Sequence, residues 1–280
     1  MSPSVTRPTR RRTRSLVALA VAAVTTASVL VASGAADAGS FAANVQPPPA
    51  SPTSASQIQN IDQVKTAIKA YYGDTPSNVL DPVNGTVALH FASPTGAYAN
   101  EMAGIESKAE NFLAAHNRQS SPAKAIVLDV DDTTLNTYSY EIYSSFVFNP
   151  TTNAAFVTAE IFPAVFGMPD LVADAQADGY TVFFLTGRPE AQRAATAGNL
   201  ENVGYPAVPT GQLFLKDQGL PWLTSCTPTC TTQQYKTLTR QHIETMGYDI
   251  VANFGDQFSD LNGGFADSTY KIPNPMYFLP

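Results

Sequence analysis

Apolar and polar positions are grouped in blocks whose period changes along the chain. From 57 to 72 the apolar residues Ile58, Ile61, Val64, Ile68 and Tyr71 recur at helical spacing, and from about Gly96 to His116 one helical face carries Met102, Ile105, Ala109 and Phe112. Beyond that the apolar residues come in short, β-rich runs: Ala125 to Leu128, Tyr180 to Leu185, Gln212 to Leu215 and Tyr248 to Phe254. Such runs suit strands buried on both faces of a sheet. Segments near 151 to 178, 189 to 203 and 236 to 247 read as helices. Strand alternating with helix across 125 to 260 predicts an α/β fold, doubly wound around a mostly parallel sheet. No internal repeat interrupts it.

Three of the runs end in polar residues. The first runs into Asp129-Val130-Asp131-Asp132-Thr133-Thr134, the second into Thr186-Gly187-Arg188-Pro189, and the last into Gly255-Asp256-Gln257-Phe258-Ser259-Asp260. In an open parallel sheet, ligands bind outside the carboxyl ends of the strands, so these segments are expected to build one site. Residues two apart in extended chain share a face, which lets Asp129 and Asp131 aim at one point. Two close carboxylates call for a cation or a shared proton. A Ca2+ loop fits poorly, because its sixth and twelfth positions would need Gly and Glu where this chain has Thr134 and Tyr140. No Gly-rich Walker loop is present. The histidines are His90, His116 and His242 alone, which disfavours histidine-phosphatase and His-rich dinuclear chemistry.

The segments DVDDT (Asp129 to Thr133), LTGR (Leu185 to Arg188), Tyr235-Lys236 and GDQFSD (Gly255 to Asp260) occur in an order that resembles the haloacid dehalogenase (HAD) superfamily of phosphatases, in particular the secreted acid phosphatases grouped with class B enzymes and plant vegetative storage proteins. The resemblance implies a HAD-like α/β domain with a small or absent cap and an N-terminal helical extension, since Thr134 to Tyr180 is too short for a large insertion. It implies that Asp129 is the nucleophile, forming an aspartyl phosphate, and that Asp131 is the general acid and base. Thr186 would donate to a phosphoryl oxygen and Lys236 would supply a fixed positive charge, with Lys216 as the competing lysine. Gly187 and Arg188 would meet the substrate phosphate, helped by Pro189 as the first residue of a helix, with Arg188 alternatively supporting a residue that does. Mg2+ would be held by Asp129, the Asp131 carbonyl and Asp256, with Asp260 behind or through water. The implied activity is a Mg2+-dependent acid phosphatase acting on phosphate monoesters. Its alternatives are a narrower nucleotidase or phosphotransferase, or a storage or binding protein of low activity. Tyr138, Tyr140 and Tyr143 read first as core and pocket wall, with stacking of some of them on an aromatic or nucleoside leaving group as the functional alternative.

The amino terminus alters where such an enzyme would work. Arg7, Arg10, Arg11, Arg12 and Arg14 precede an apolar run from Leu16 to about Ala32, and Ala36-Asp37-Ala38 offers a small-residue cleavage site, so residues 1–38 read as a secretory signal peptide. An uncleaved anchor and a twin-arginine route are the alternatives. Gly39 to about Ser56, rich in Pro, Ser and Ala, reads as a tether leading into a domain over 57–280. The whole chain has 16 Lys+Arg against 23 Asp+Glu; loss of the leader removes five arginines and one aspartate, leaving 11 against 22 and a net charge of −11. That charge argues against a nucleic-acid polymer or an anionic membrane as partner. Export also makes a disulfide the default for Cys226 and Cys230, with a redox-active pair and a zinc site as alternatives.

Overall fold

Backbone pairing and apolar burial divide the labour along the chain. The computed structural model describes residues 53–54, 60–116 and 123–279, and the architecture is that of the unit beginning at Ser54. The expected leader, nearly all of the tether, and Ile58 lie outside the described residues.

Helix α1 (Ile61–Tyr72) starts where the Asn60 side chain accepts from Gln63 N–H and ends at Gly73, whose φ of 66° closes the last turn. Only its C-terminal half packs: Ile68 and Tyr72 are buried, whereas Ile61 and Val64 are exposed. An antiparallel hairpin follows, β1 (Thr75–Leu80) with β2 (Ala88–Phe91). Helix α2 (Ala97–His116) buries Tyr98, Met102 and Ala109 on the expected face.

The main sheet begins with β3 (Lys124–Leu128). After it come α3 (Tyr138–Tyr143), α4 (Pro150–Thr158), α5 (Met168–Ala177), β4 (Thr181–Pro189), α6 (Arg193–Asn202), β5 (Leu213–Lys216), α7 (Thr232–Thr245), β6 (Asp249–Gly255), α8 (Phe258–Leu261) and β7 (Ser268–Lys271). The sheet order is β5-β4-β3-β6-β7, and every pair is parallel. The chain steps from β3 to one side through β4 and β5, then returns to the other side as β6. The carboxyl end of β3 is therefore a topological switch point, where the loops diverge and leave a crevice.

Alternation along the strands feeds two cores. Ile126, Leu128, Val182 and Phe184 face one layer with Met102, Leu171 and Leu200. Ala125, Val127, Phe183 and Leu185 face the other, against Tyr235 and Ile243 of α7. Each of the larger aliphatic and aromatic side chains contributes about 2 kcal/mol on burial, which holds the strand ends in place.

Three expected helices need correction. The single segment over 151–178 is two helices, because Glu160 (φ 53°), Pro163 and Gly167 (φ 74°) break it. The break is structural: Ala164 pairs with Leu135, Val165 N–H donates to Thr134 O, and Asn136 N–H donates to Pro163 O, bracing the acidic turn. The segment expected from 189 is extended to Pro189, and α6 starts only at Arg193. That from 236 starts earlier, at Thr232, where Thr231 and Gln234 form a reciprocal cap. Cys226 and Cys230 are bonded to each other in the loop before it.

Candidate active site

The acidic turn forms because β3 runs out of pairing partners. Asp129 N–H still donates to Phe254 O of β6 (3.0 Å), but Val130 O then accepts from Thr134 N–H (3.0 Å) and Leu135 N–H (2.8 Å), reversing the chain. Asp132 takes a left-handed φ of 54°, a conformation that Asp tolerates better than most residues. Its fully buried carboxylate accepts from Thr137 N–H (2.9 Å), Thr137 Oγ1 (2.5 Å) and Tyr277 Oη (2.8 Å). Asp132 thus ties the turn to α3 and to the C-terminal segment, and leaves Asp129 and Asp131 to face the crevice.

Lys236, near the start of α7, meets Asp129. Its Nζ donates to Asp129 Oδ1 at 2.5 Å and also to Asp260 Oδ1 of α8, with all three side chains buried. Asp260 Oδ2 accepts Gln257 N–H (2.8 Å). Asp256, just past β6, is held through Oδ2 by Gln257 Nε2 and Asn274 Nδ2, both at 2.6 Å. Gly255 makes this approach possible, since a Cβ there would stand 2.2 Å from that of Asp260.

The end of β4 supplies the opposite wall. Thr186 is fully buried, and its Oγ1 accepts Arg188 N–H (3.1 Å), which leaves its own proton free to donate. Arg188 does not extend toward the crevice as a free cation. Its Nε and Nη2 grip Asp131 (Nη2 to Oδ1 2.7 Å, Nε to Oδ2 3.0 Å), and Nη1 donates to Thr196 of α6 (3.1 Å). Gly187 is exposed, at the tip between them. Pro189 ends the strand and caps a 3-10 turn over Glu190–Gln192 that runs into α6, so the helical start lies one residue beyond the position expected for it. Lys216, at the end of β5, donates instead to Thr232 Oγ1 (3.2 Å).

Charge is concentrated and only partly balanced. Burial pushes the Asp129 carboxyl up, Lys236 opposes this, and Asp260, Asp256 and Asp131 add to it. Asp256 is raised by burial and then by Asp260 and Asp132. Burial lowers the Lys236 ammonium, but Asp129 and Asp260 outweigh burial and hold it firmly protonated. Asp129, Asp256 and Asp260 each offer an oxygen within 4.8 Å of the others. Asp129 Oδ2 and Asp256 Oδ1 take no hydrogen bond among the described residues, whereas both oxygens of Asp260 are engaged. Three carboxylates that close, two of which keep an oxygen free of hydrogen bonds, offer the hard oxygen ligands that a small divalent cation takes.

The expected aromatic contacts divide differently. Tyr138 and Tyr140 are fully buried; Tyr138 stacks on Tyr72 at 4.6 Å and donates to Asp74, and Tyr140 donates to Asn149 O. Both pack, and Tyr143 lies half-buried against Phe156. Sequence reasoning overlooked Glu141, Asn274, Tyr277 and the role of Asp132. Asp132 had a signal, as the third acid of the run; the two C-terminal residues sit beyond the last strand and had none. Burial and Asp131 push the Glu141 carboxyl up to about 7.

Comparison with known proteins bears on the family and the fold. Over residues 88–280 the chain matches the family described as HAD superfamily, subfamily IIIB (acid phosphatase). It is 31% identical over 176 residues to the stem 28 kDa glycoprotein of Glycine max, covering 60% of this chain and 65% of that one. It is also 31% identical over 186 residues to acid phosphatase 1 of Solanum lycopersicum, covering 65% and 69%. The matches thus span about two thirds of these relatives. The class C acid phosphatase of Bacillus anthracis shares the fold with a TM-score of 0.52 and 23% identity, over 64% of this chain and 80% of that one. The acidic turn, the parallel sheet and the family match converge, and the chain belongs to subfamily IIIB of the HAD superfamily, the acid phosphatases.

Proposed function

We propose that this acid phosphatase is an exported, Mg2+-dependent phosphomonoesterase that works through an aspartyl phosphate on Asp129. The observation that carries the reading is the convergence of Lys236, Asp256 and Asp260 on Asp129 at the switch point of the sheet. Asp129 Oδ2, free of hydrogen bonds, attacks phosphorus while the bond to the ester oxygen breaks; Asp131 gives its proton to that oxygen. Water then attacks the same phosphorus, its proton returns to Asp131, and Asp129 is released. Lys236 supports both displacements by holding Asp129 in place and offsetting the charge that gathers there. Thr186 donates its hydroxyl proton to a phosphoryl oxygen, and the exposed backbone at Gly187 borders the same space. Asp129, the Asp131 carbonyl and Asp256 would hold Mg2+, with Asp260 behind them. The ion would neutralise the phosphate dianion so that a carboxylate can approach it. No helix of the described residues is long and apolar enough to cross a membrane, and the leader over 1–38 supports release outside the cell.

Hydrolysis of an aryl phosphate tests this in three arms: with Mg2+, with a chelator, and for Asp129→Asn. Turnover should require the metal and fall by more than about a thousandfold in the variant. Wild-type rates from Asp129→Asn, or full activity in chelator, would remove Asp129 or the metal from the mechanism.

A further inference from the structure

Lys216, at the end of β5, is a cation near the site that no carboxylate balances. Arg188, Arg193 and Lys236 are each paired with an acid. Lys216 has no ion pair among the described residues, and its one hydrogen bond runs to the neutral Thr232 Oγ1 (3.2 Å). An ammonium carries three donors, so two stay uncommitted. The side chain is half-buried, and burial first, then Lys236, makes it hold its proton less firmly than an ordinary lysine. Taking a charge partly out of water against one neutral partner costs stability, and nothing in the fold offsets that cost.

Contacts fix where those donors lie. Lys216 pairs with Pro189 across β5 and β4, which sets it beside the wall made by Thr186, Gly187 and Arg188. Thr232 opens α7 four residues before Lys236. Residues four apart share one helical face, about 6 Å from each other. Buried Lys236 holds Asp129, so the same face of α7 leads from the proposed nucleophile, one turn outward, to half-buried Thr232 and Lys216. Gly187 keeps this route open. A Cβ there would touch Thr232 Cγ2 at 4.0 Å and meet no other described atom within that distance beyond its chain neighbours. The space beside Thr186 and Gly187 is therefore continuous with the Thr232 and Lys216 edge.

We infer that Lys216 binds a second anionic group on the substrate, so that the preferred esters are those whose alcohol half carries a carboxylate or another phosphate. The inference rests on the phosphatase reading above, which places the transferred phosphate between Asp129 and Thr186. A second anion takes the uncommitted donors of Lys216 at the moment of binding, whereas an uncharged alcohol leaves them unused.

The test compares phosphoglycerate with glycerol phosphate, both esterified at the terminal hydroxyl and differing in a carboxylate against a hydroxymethyl group. Rates are measured with Mg2+ on the full protein and on Lys216→Met and Lys216→Arg. Wild type should favour phosphoglycerate. In Lys216→Met the ratio of kcat/KM for phosphoglycerate to that for glycerol phosphate should fall roughly tenfold or more. Lys216→Arg restores the charge and should recover most of that ratio. An unchanged ratio in Lys216→Met overturns the inference, and if both rates fall together Lys216 serves the transferred phosphate instead. A wild type that prefers glycerol phosphate overturns it without any variant, so the outcome does not depend on how well Lys216→Met folds. Calorimetric Kd values for the two esters separate this from failure of the phosphatase reading. A wild type that turns over neither ester refutes that reading, while a phosphoglycerate Kd equal in wild type and Lys216→Met refutes the role of Lys216.

Discussion

Arg188 follows Gly187 in a segment whose sequence left open a contact with the substrate phosphate or a supporting role behind it, and its guanidinium is committed to Asp131 and Thr196. A motif names the residue type at a position but not the direction of a long side chain, which depends on a partner 57 residues away. Lys236 was easier to anticipate because Tyr235-Lys236 open the helix that precedes the Gly255 to Asp260 segment, as the family resemblance implies; Tyr277 and Asn274 reach the site from a segment with no regular period. The arrangement makes Arg188 a positioning residue for Asp131. Arg188→Lys keeps the charge but loses the two-pronged grip. We expect kcat to drop by about tenfold to a hundredfold with KM nearly unchanged, since the proposed general acid would be misplaced while phosphate binding is spared. A rise in KM at constant kcat would instead return Arg188 to the phosphate.

Among the elements, β3, β4 and β6 were readable because a strand buried on both faces is apolar nearly throughout. The hairpin was not. Residues Thr75–Leu80 are exposed except at Ser77, so no alternation marks them, and the structure rests on backbone pairing and on Asp81, which accepts N–H groups from Val83, Asn84, Thr86 and Val87. The break between α4 and α5 was equally hidden, because its cause is long-range contact with the acidic turn. The disulfide shows how a legible local feature serves a distant one. Cys226 and Cys230 close a short loop just ahead of the Thr231 cap of α7, the helix that carries Lys236. A loop this short constrains the unfolded chain by about 2 kcal/mol. Replacing both cysteines by Ser should therefore lower Tm by roughly 5 °C. Activity below the melting range should change less than threefold, by about the margin expected when a cap is loosened but its hydrogen bonds persist. Loss of activity without loss of Tm would mean that the bridge sets the Lys236 geometry directly.

At the scale of the whole molecule, the site sets how stability depends on pH. Burial, more than any neighbour, pushes Asp132 and Glu141 up to about 7. Their ordinary values are 3.8 and 4.5. Between those limits the folded protein keeps protons that the unfolded chain has released. More protons bound in the folded state means that stability falls as pH rises through this window and levels off above about 7. Asp129 and Asp256 are raised by burial too and act with the same sign. In chelator, calorimetry should give a Tm at pH 5 roughly 5 °C above that at pH 7.5. A divalent cation binds the ionised carboxylates, so saturating Mg2+ should raise Tm chiefly at pH 7.5 and narrow the gap. A metal-free Tm that rises from pH 5 to 7.5 would show that the hydrogen bonds to Asp132 and Asp256 and the Lys236 pair of Asp129 outweigh the cost of burying the ionised acids. The expected direction instead describes a protein that acidic surroundings stabilise and neutral ones leave dependent on a cation, because Asp129, Asp132, Asp256 and Asp260 are buried together just past the ends of β3 and β6.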